Sequence, residues 1–308
     1  MKKVAILGAT GYIGRSLAEE ILLSRKDYEL YLFSRNRDAL PRLFSEAVKK
    51  STSSHHFLSL DEFGEGKYDT IINASGIGDP KVLAEDARVI FSATESVDNL
   101  VLSYLKEVTG ARYVNLSSGA VYGKSSAQPI TDKTEIIFSG DFNTSSEFYS
   151  LAKLSSEAKH RANSHLPIID LRVFAFFSHL VDRKGSFLMS QITEAIVEKK
   201  VFFTGPTNIE RDFITPSDLL SLIEITLEKG ESNDVYDVFS KSQVSKFELL
   251  EHLKNEFGLV YQVSDEENFS VTIKNSYYSK NKKAASLGYE PEYSSLGGIT
   301  KELKKLGL

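Results

Sequence analysis

The N-terminal stretch constrains the fold of this chain more than any other part of the sequence. Four consecutive apolar residues, Val4 to Leu7, are followed by glycines at positions 8, 11 and 14. A short continuous apolar run predicts a parallel strand that is buried on both faces. Beyond Gly14 the apolar residues recur at helical spacing, which predicts a helix that begins within the glycine turn. The stretch therefore predicts a strand, a glycine turn and a helix, as at the start of an α/β fold.

A dinucleotide-binding site requires these same three parts. Gly8 permits a tight turn, Gly11 lets the backbone approach a pyrophosphate, and Gly14 lets the helix pack on the strand. The helix N-terminus offers free N–H groups and a partial positive charge to phosphates. Glycine turns of this spacing also join strands and helices that bind nothing, which is the alternative. The residues predicted to contact a dinucleotide here are Gly8, Thr10, Gly11, Tyr12, Ile13 and Gly14.

The end of the second predicted strand bears on the choice of cofactor. This strand runs from Tyr28 to Phe33 and is followed by Ser34, Arg35 and Arg37. An acidic residue in this place holds the ribose 2′-hydroxyl of NAD. A hydroxyl and two guanidinium groups suit a 2′-phosphate instead, so NADP(H) is favoured and NAD(H) remains possible. The alternative is that the two arginines are solvated loop residues.

The following segments predict an α/β fold with a doubly wound parallel sheet (Rossmann-like) and a smaller C-terminal α/β substrate lobe. Between the second and third strands we expect an exposed helix over 38–50, and the adjacent His55 and His56 read as a surface pair in a polar turn with no metal. Asp61 is predicted to lie near an adenine. The strand over 68–76 ends in small residues, so Ala74 and Ser75 leave room for a ligand at the sheet edge.

The division of the chain follows from a change in its character after residue 177. Residues 1–174 are predicted to form the dinucleotide-binding domain, and residues 175–308 the substrate lobe. Segment 212–240 is expected to return to the first domain. Helices are predicted over 92–108 and from Lys246 to Phe257, and another starts at Thr215 to Asp218, where a hydroxyl cap precedes a proline.

Three side chains are predicted to carry the chemistry. Ser118 ends a strand over 112–118, and Tyr149 and Lys153 lie one turn apart on the helix that follows. A tyrosine hydroxyl is a poor acid or base near neutrality, but a lysine ammonium in a partly dry site favours the phenolate. Tyr149 can then exchange a proton with a substrate alcohol or ketone while hydride moves to or from nicotinamide. Ser118 would hydrogen-bond the same oxygen. The alternative is that Tyr149 and Lys153 are an unrelated helical pair.

Together these motifs resemble the extended short-chain dehydrogenases/reductases, within the NAD-dependent epimerase/dehydratase family that acts on nucleotide sugars. The resemblance includes the three glycines, the segment 117–123, Tyr149 with Lys153, and the segment 211–214. It implies that Ser118, rather than Ser117, is the catalytic hydroxyl and that Lys153 also holds the nicotinamide ribose. It further implies that Arg211 contacts the diphosphate of a nucleotide-diphosphate sugar, although an ordinary ion pair with Asp212 is the alternative. Related enzymes commonly form homodimers through two helices per subunit.

Departures from the family's pattern narrow the expected activity. Gly119 and Ala120 follow the catalytic serine where dehydratases carry an acidic pair, and Ala175 replaces the usual asparagine. We therefore expect NADPH-dependent reduction of a 4-keto sugar nucleotide. The alternatives are a 4-epimerase with bound NAD, a reductase of non-sugar ketones, and a non-catalytic NADP(H)-sensing regulator.

Composition excludes several other classes. The formal net charge is −5, which argues against a general nucleic-acid or membrane-surface binder. The chain has no cysteine, so disulfides, thiolate metal sites and cysteine nucleophiles are excluded. No apolar run approaches the length of a signal peptide or a membrane span, and a cytoplasmic location is expected.

Overall fold

The computed structural model describes residues 1–78, 83, 85–230, 232–264 and 275–308. Among these residues, seven strands form one parallel sheet, in the spatial order β11 (Asp234–Asp237), β6 (Ile168–Val173), β5 (Arg112–Ser118), β4 (Thr70–Asn73), β1 (Lys2–Leu7), β2 (Tyr28–Ser34) and β3 (Ser54–Ser59). The chain runs outward from β1 to β3 on one side and from β4 to β11 on the other. The predicted doubly wound sheet is therefore confirmed.

The first half of the chain alternates strands with helices. Its strands are β1 (Lys2–Leu7), β2 (Tyr28–Ser34), β3 (Ser54–Ser59), β4 (Thr70–Asn73), β5 (Arg112–Ser118) and β6 (Ile168–Val173). Its α-helices are α1 (Tyr12–Ser24), α2 (Leu40–Leu43), α3 (Ser45–Lys50), α4 (Val89–Glu107) and α5 (Ser145–Ala162). Short 3₁₀ helices cover Arg37–Ala39, Leu60–Glu65, Gly119–Tyr122 and Lys124–Ala127.

The second half contains shorter elements. Its strands are β7 (Ala175–Phe176), β8 (Val201–Thr204), β9 (Glu210–Arg211), β10 (Phe213–Ile214), β11 (Asp234–Asp237), β12 (Val244–Ser245), β13 (Val260–Val263) and β14 (Ser276–Tyr277). Its α-helices are α6 (Leu188–Glu198), α7 (Pro216–Lys229), α8 (Lys246–Phe257) and α9 (Ser295–Lys304), and a 3₁₀ helix covers Lys283–Leu287. β9 lies between β12 and β14, β10 pairs with β7, and β13 pairs with β8.

Helices cover both faces of the central sheet. On one face, Leu17 and Ile21 of α1 pack with Leu220 and Ile223 of α7. On the other face, α4 contributes the buried residues Val97, Val101 and Leu105 to a separate core. A third core, around Leu253 of α8, fills the C-terminal part. The predicted lobe boundary at 174/175 stays a prediction, although β11 pairs with β6 and so joins the central sheet.

Three local expectations differ from the structure. The helix expected over 38–50 is broken into a 3₁₀ turn, α2 and α3. Pro41 lies in this region, and a proline within a helix removes one hydrogen bond and clashes with the preceding turn. His55 and His56 lie in strand β3 rather than in a turn, and His56 Nε2 is 3.0 Å from Glu29 Oε1. The helix expected over 92–108 begins three residues earlier, at Val89.

No helix in the described ranges is long and apolar enough to cross a membrane. The same ranges contain no group of three or more histidine, aspartate or glutamate side chains arranged to hold a metal ion.

Candidate active site

The glycine turn joins β1, α1 and the end of β4 in close contact. Gly8 has a φ of +79°, and a Cβ there would lie 2.8 Å from the backbone nitrogen of Ser75. A Cβ at Gly14 would lie 2.4 Å from the carbonyl oxygen of Gly8. Gly11 is the N-cap residue of α1 and has no side chain with which to cap this helix. The cradle therefore leaves no room for side chains and presents a helix N-terminus, which fits a dinucleotide pyrophosphate.

The end of β2 lies beside this turn. The hydroxyls of Ser34 and Thr10 are 3.2 Å apart, and Ser34 Oγ also accepts a hydrogen bond of 3.1 Å from the backbone of Asn36. Arg35 and Arg37 are exposed, and Arg37 Nη1 lies 3.6 Å from Glu62 Oε2. Of the residues predicted to bind the cofactor here, Thr10 and Ser34 are therefore in contact, Arg35 follows Ser34 directly, and Arg37 lies beside Glu62.

A shallow cleft of about 430 Å³ lies next to these residues. It is lined by Arg35, Ser59, Leu60, Asp61, Ser96 and Leu100. Asp61 therefore lies in a cleft that adjoins the end of β2, which is where a contact with an adenine was predicted. The role itself stays a prediction.

Two residues of the first turn of α1, Tyr12 and Ile13, are partly buried. The Tyr12 hydroxyl accepts a hydrogen bond of 2.7 Å from Ser178 N and donates one of 3.2 Å to Ser178 O. Burial raises the pKa of Tyr12 above its ordinary value. Ile13 packs against the hydrophobic core that contains Leu17 and Ile21. The hydroxyl of Tyr12 therefore binds the segment after β7, which leaves its backbone N–H as the group to face a phosphate.

The two serines at the end of β5 point to opposite faces of the sheet. Ser117 Oγ donates a hydrogen bond of 2.5 Å to Glu157 Oε1, and Glu157 forms an ion pair of 2.6 Å with Arg172. Ser118 is buried, and its Oγ accepts a hydrogen bond of 3.1 Å from Ala120 N. Arg172 is thus a paired structural residue, and Ser118 faces the other side.

Tyr149 and Lys153 lie on consecutive turns of α5. Lys153 is buried, and its Nζ donates a hydrogen bond of 2.9 Å to the carbonyl oxygen of Leu116 in β5. The same Nζ is 3.4 Å from the point where a Cβ on Gly76 would stand, just beyond β4. Tyr149 is partly buried and packs near Ala152. The ammonium therefore lies at the carboxyl ends of β4 and β5, where a ligand would cross the sheet edge.

The structure adds a second tyrosine that sequence reasoning missed. The hydroxyl of Tyr277 lies 3.2 Å from Ser118 Oγ. Burial raises the pKa of Tyr277, its hydrogen bond with Ser118 lowers it, and the charge of Tyr149 raises it further. Tyr277 therefore adds a buried hydroxyl group beside Ser118 at the end of β5. No feature of the local sequence around residue 277 indicated this contact.

Arg211 lies against this second tyrosine. Its guanidinium carbon is 5.8 Å from the centre of the Tyr277 ring, and Nη1 donates a hydrogen bond of 2.7 Å to the carbonyl oxygen of Glu210. Burial lowers the pKa of Arg211. The neighbouring Asp212 accepts hydrogen bonds from the backbone of Ser240 (3.1 and 3.2 Å) and from the Ser295 hydroxyl (3.3 Å). Arg211 thus brings a desolvated cation to the cluster of Ser118 and Tyr277.

The model of one known protein family matches most of the chain. The sequence profile of the NAD dependent epimerase/dehydratase family matches residues 4–239. No curated protein sequence matches the chain.

Several solved structures share the fold over the whole chain. A dTDP-glucose 4,6-dehydratase from Bacillus anthracis in complex with NAD is 17% identical, with a TM-score of 0.77 over 100% of this chain and 97% of that chain. A UDP-glucuronic acid 4-epimerase from Bacillus cereus with UDP-glucuronic acid and NAD is 18% identical, with a TM-score of 0.77 over 99% of each chain. A UDP-glucose 4-epimerase from Thermotoga maritima with UDP-glucose is 16% identical, with a TM-score of 0.79 over 99% of this chain and 98% of that chain. At these identities the likeness establishes the fold.

Proposed function

The chain belongs to the NAD-dependent epimerase/dehydratase family of extended short-chain dehydrogenases/reductases, and from this premise we propose that it reduces a 4-keto sugar nucleotide with NADPH. The observation that carries the choice of a reductase is the end of β2, where Ser34 stands in place of a carboxylate beside the exposed Arg35. A carboxylate there repels a 2′-phosphate, whereas a guanidinium group binds it. An enzyme that takes NADPH from solution and releases NADP fits this arrangement.

The chain's own residues would transfer the proton and position the substrate, and the cofactor would supply the hydride. When bound, the nicotinamide would supply hydride to the carbonyl carbon of the substrate. Tyr149 would give a proton to the carbonyl oxygen, and the ammonium of Lys153, one helical turn away, would attract the negative charge left on the phenol oxygen. Ser118 would hold the same oxygen by a hydrogen bond. Lys153, which lies at the ends of β4 and β5, would also hold the nicotinamide ribose.

Arg211 supports a substrate that carries a diphosphate. Its guanidinium group is partly desolvated and lies beside Tyr277, within the cluster that includes Ser118. A desolvated arginine forms strong, bidentate hydrogen bonds with phosphate oxygens. The structural neighbours were solved with UDP-glucose and UDP-glucuronic acid, which supports a nucleotide-diphosphate sugar here.

Epimerisation at position 4 is the second candidate, and two of the structural neighbours favour it. Both are 4-epimerases, and one of them was solved with NAD. The same residues, Ser118, Tyr149 and Lys153, would then serve an oxidation followed by a reduction. A tightly held NAD requires a ribose-binding group at the end of β2, and Ser34 is the residue available there.

One experiment separates the two activities. Purified protein is incubated with NADPH and a panel of 4-keto and 4-hydroxy nucleotide-diphosphate sugars, with NADH in parallel. A reductase consumes one NADPH for each keto sugar reduced. An epimerase converts the 4-hydroxy sugars without net change in cofactor. If neither class reacts while a simple ketone does, the nucleotide sugar is not the substrate.

A homodimer and a cytoplasmic location remain parts of this proposal. The apolar residues of α4 pack on the sheet, and its outward side chains are polar, including Ser92, Glu95, Asn99 and Ser103. A dimer formed through this helix would therefore have a polar interface. Light scattering of the purified protein tests whether a dimer forms.

A further inference from the structure

A row of buried polar side chains crosses the central sheet just before its carboxyl edge. Asn73, Asn115 and Asp170 lie directly opposite one another on β4, β5 and β6. Their exposed fractions are 3%, 4% and 0%. Burying polar and charged groups costs free energy unless each is hydrogen-bonded, and apolar residues would pack such a face at lower cost. The row therefore requires an explanation other than core packing.

Further residues from β5 and α4 extend the row out of the plane of the sheet. Asn73 Nδ2 donates a hydrogen bond of 2.9 Å to the Tyr113 hydroxyl, which donates one of 3.0 Å to Asp98 Oδ1. Asn115 Nδ2 donates a hydrogen bond of 2.7 Å to Asp170 Oδ1. The long contact from Asn73 Nδ2 to Asn115 Oδ1, at 3.5 Å, joins the two branches. Both branches end in a buried carboxylate.

His160 of α5 lies between these two carboxylates and closes the branches into a ring. Its Nε2 is 2.7 Å from Asp98 Oδ1, and its Nδ1 is 2.9 Å from Asp170 Oδ1. An ionised carboxylate can only accept hydrogen bonds, so both ring nitrogens donate and the ring is an imidazolium. Burial alone would lower the pKa of His160, but its hydrogen bonds to Asp170 and Asp98 outweigh this and raise the pKa to about 9.

Two surface cations complete the charges around His160. Lys159 Nζ lies 2.6 Å from Asp98 Oδ2, and Arg161 Nη2 lies 3.1 Å from Asp170 Oδ2. Each of the two carboxylates therefore has a second cationic partner besides the imidazolium. We name the closed cycle the His160 ring; its members are Asn73, Tyr113, Asp98, His160, Asp170 and Asn115.

The His160 ring reaches the glycine turn through Asn73. Asn73 Oδ1 accepts a hydrogen bond of 2.9 Å from the backbone N–H of Ser75. The same nitrogen of Ser75 is 2.8 Å from the place where a Cβ on Gly8 would stand, so backbone packs on backbone there. Because this contact leaves no space between the two backbone segments, the orientation of the Asn73 amide sets the position of the turn after β4 relative to the glycine turn.

We propose that the His160 ring is a positioning element that fixes the turn over 74–76 against Gly8 and thereby sets the affinity for the dinucleotide. The part that concerns affinity rests on the proposed function, whereas the fixing of the turn does not. Tyr113, His160 and Asn73 act through the backbone of Ser75 and are positioning residues rather than catalytic ones.

The test uses two ring variants and one matched control in the full-length protein. Tyr113→Phe removes one hydroxyl and keeps the shape, and His160→Gln removes the imidazolium. The control, Leu253→Ala, creates a cavity in the separate C-terminal core, where Leu253 is fully buried. Hydrogen exchange of a peptide covering 70–78 reports on the turn, and titration with NADPH and with NADH reports on affinity.

Both ring variants are expected to speed exchange in 70–78 and to weaken dinucleotide binding by about five- to tenfold, the loss of one net hydrogen bond. Leu253→Ala is expected to lower the melting temperature and to change neither readout by more than about twofold, since distant sites act independently. If His160→Gln does not fold, Tyr113→Phe still decides. Wild-type exchange and wild-type affinity in the folded ring variants would overturn the proposal. A wild-type protein that binds neither dinucleotide refutes the proposed function, and the exchange readout still tests the ring.

Discussion

The hydroxyls of Ser118 and Tyr277 lie 3.2 Å apart although 159 residues separate them in the sequence. Their contact depends on the pairing of β14 with β9, which carries Tyr277 over the carboxyl end of β5. Arg211 of β9 reaches the same place. Tyr277 and Arg211 of the second half of the chain therefore lie beside Ser118, which comes from the first half.

Tyr277→Phe tests whether this contact serves the reaction. Without the phenol oxygen, Ser118 Oγ loses a partner and is held less firmly toward the substrate. We expect kcat to fall by about five- to tenfold, the rate equivalent of one net hydrogen bond, with NADPH affinity unchanged. Steady-state kinetics and NADPH titration measure both quantities. Tyr278→Phe, on the neighbouring buried residue, is the control and should retain kcat. An unchanged kcat in Tyr277→Phe would show that the contact is only structural.

Gly14→Ala tests the steric argument for the glycine turn. A Cβ there would lie 2.4 Å from the carbonyl oxygen of Gly8, so the turn must shift. We expect a loss of about 1–3 kcal/mol in the free energy of unfolding, typical of overpacking, together with weaker dinucleotide binding. Gly64→Ala is the matched control because nothing lies within 4 Å of the point where a Cβ on Gly64 would stand. Urea unfolding and NADPH titration check both variants, and equal behaviour of the two would contradict the argument.

Ser34→Asp tests the cofactor preference. A carboxylate at the end of β2 would repel a 2′-phosphate and accept hydrogen bonds from a ribose hydroxyl. We expect the ratio of NADPH to NADH affinity to fall by about tenfold or more, which corresponds to at least ~1.4 kcal/mol of differential binding. Titrations with the two cofactors measure the ratio, and NADH affinity in the variant serves as the internal control. A ratio that does not change would mean that Ser34 and its arginines do not read the 2′ position.

His179 makes stability depend on pH through a second imidazole, which is partly buried. Its Nε2 is 3.0 Å from Glu19 Oε1 in α1, and its Nδ1 is 3.0 Å from Glu302 Oε2 in α9. Burial alone would lower the pKa of His179, but the hydrogen bonds to Glu19 and Glu302 raise it from 6.5 to about 9. Because the folded value lies above the unfolded one, the stabilisation is complete below about pH 6.5 and is lost as the pH rises through about 9.

The corresponding measurement is urea unfolding of wild type and His179→Gln at about pH 6 and about pH 10. The full shift corresponds to at most about 3.4 kcal/mol. We expect the wild type to exceed the variant by about 2–3 kcal/mol at the lower pH and by much less at the higher pH. Since His160 titrates in both proteins, their difference isolates His179. A difference that is the same at both values would contradict a charged His179.

The sequence carried strong local signals for the N-terminal part of the fold. The apolar run of β1 and the glycines at 8, 11 and 14 predicted the turn, and its close backbone contacts follow from the absence of side chains. The i, i+4 spacing of Tyr149 and Lys153 placed both on one helix, α5. Helix geometry alone places residues i and i+4 on the same face, so this prediction did not depend on contacts with distant segments.

Features that depend on distant segments gave no such signal. Tyr277 reaches Ser118 only because β14 pairs with β9, and nothing local to residue 277 encodes that pairing. The His160 ring combines residues from β4, α4, β5, α5 and β6, and His160 by itself reads as an ordinary polar helix residue. The break near Pro41 was encoded locally, because a proline disfavours a continuous helix across this position.

The central claim is that the Tyr149 hydroxyl protonates the oxygen that NADPH-dependent reduction generates. The most direct measurement compares wild type with Tyr149→Phe for NADPH oxidation in the presence of a 4-keto nucleotide-diphosphate sugar, alongside NADPH affinity. We expect NADPH binding to stay unchanged within about twofold and turnover to fall by about 10²- to 10⁴-fold, the range for removal of a general acid. Turnover by Tyr149→Phe at the wild-type rate would contradict the claim.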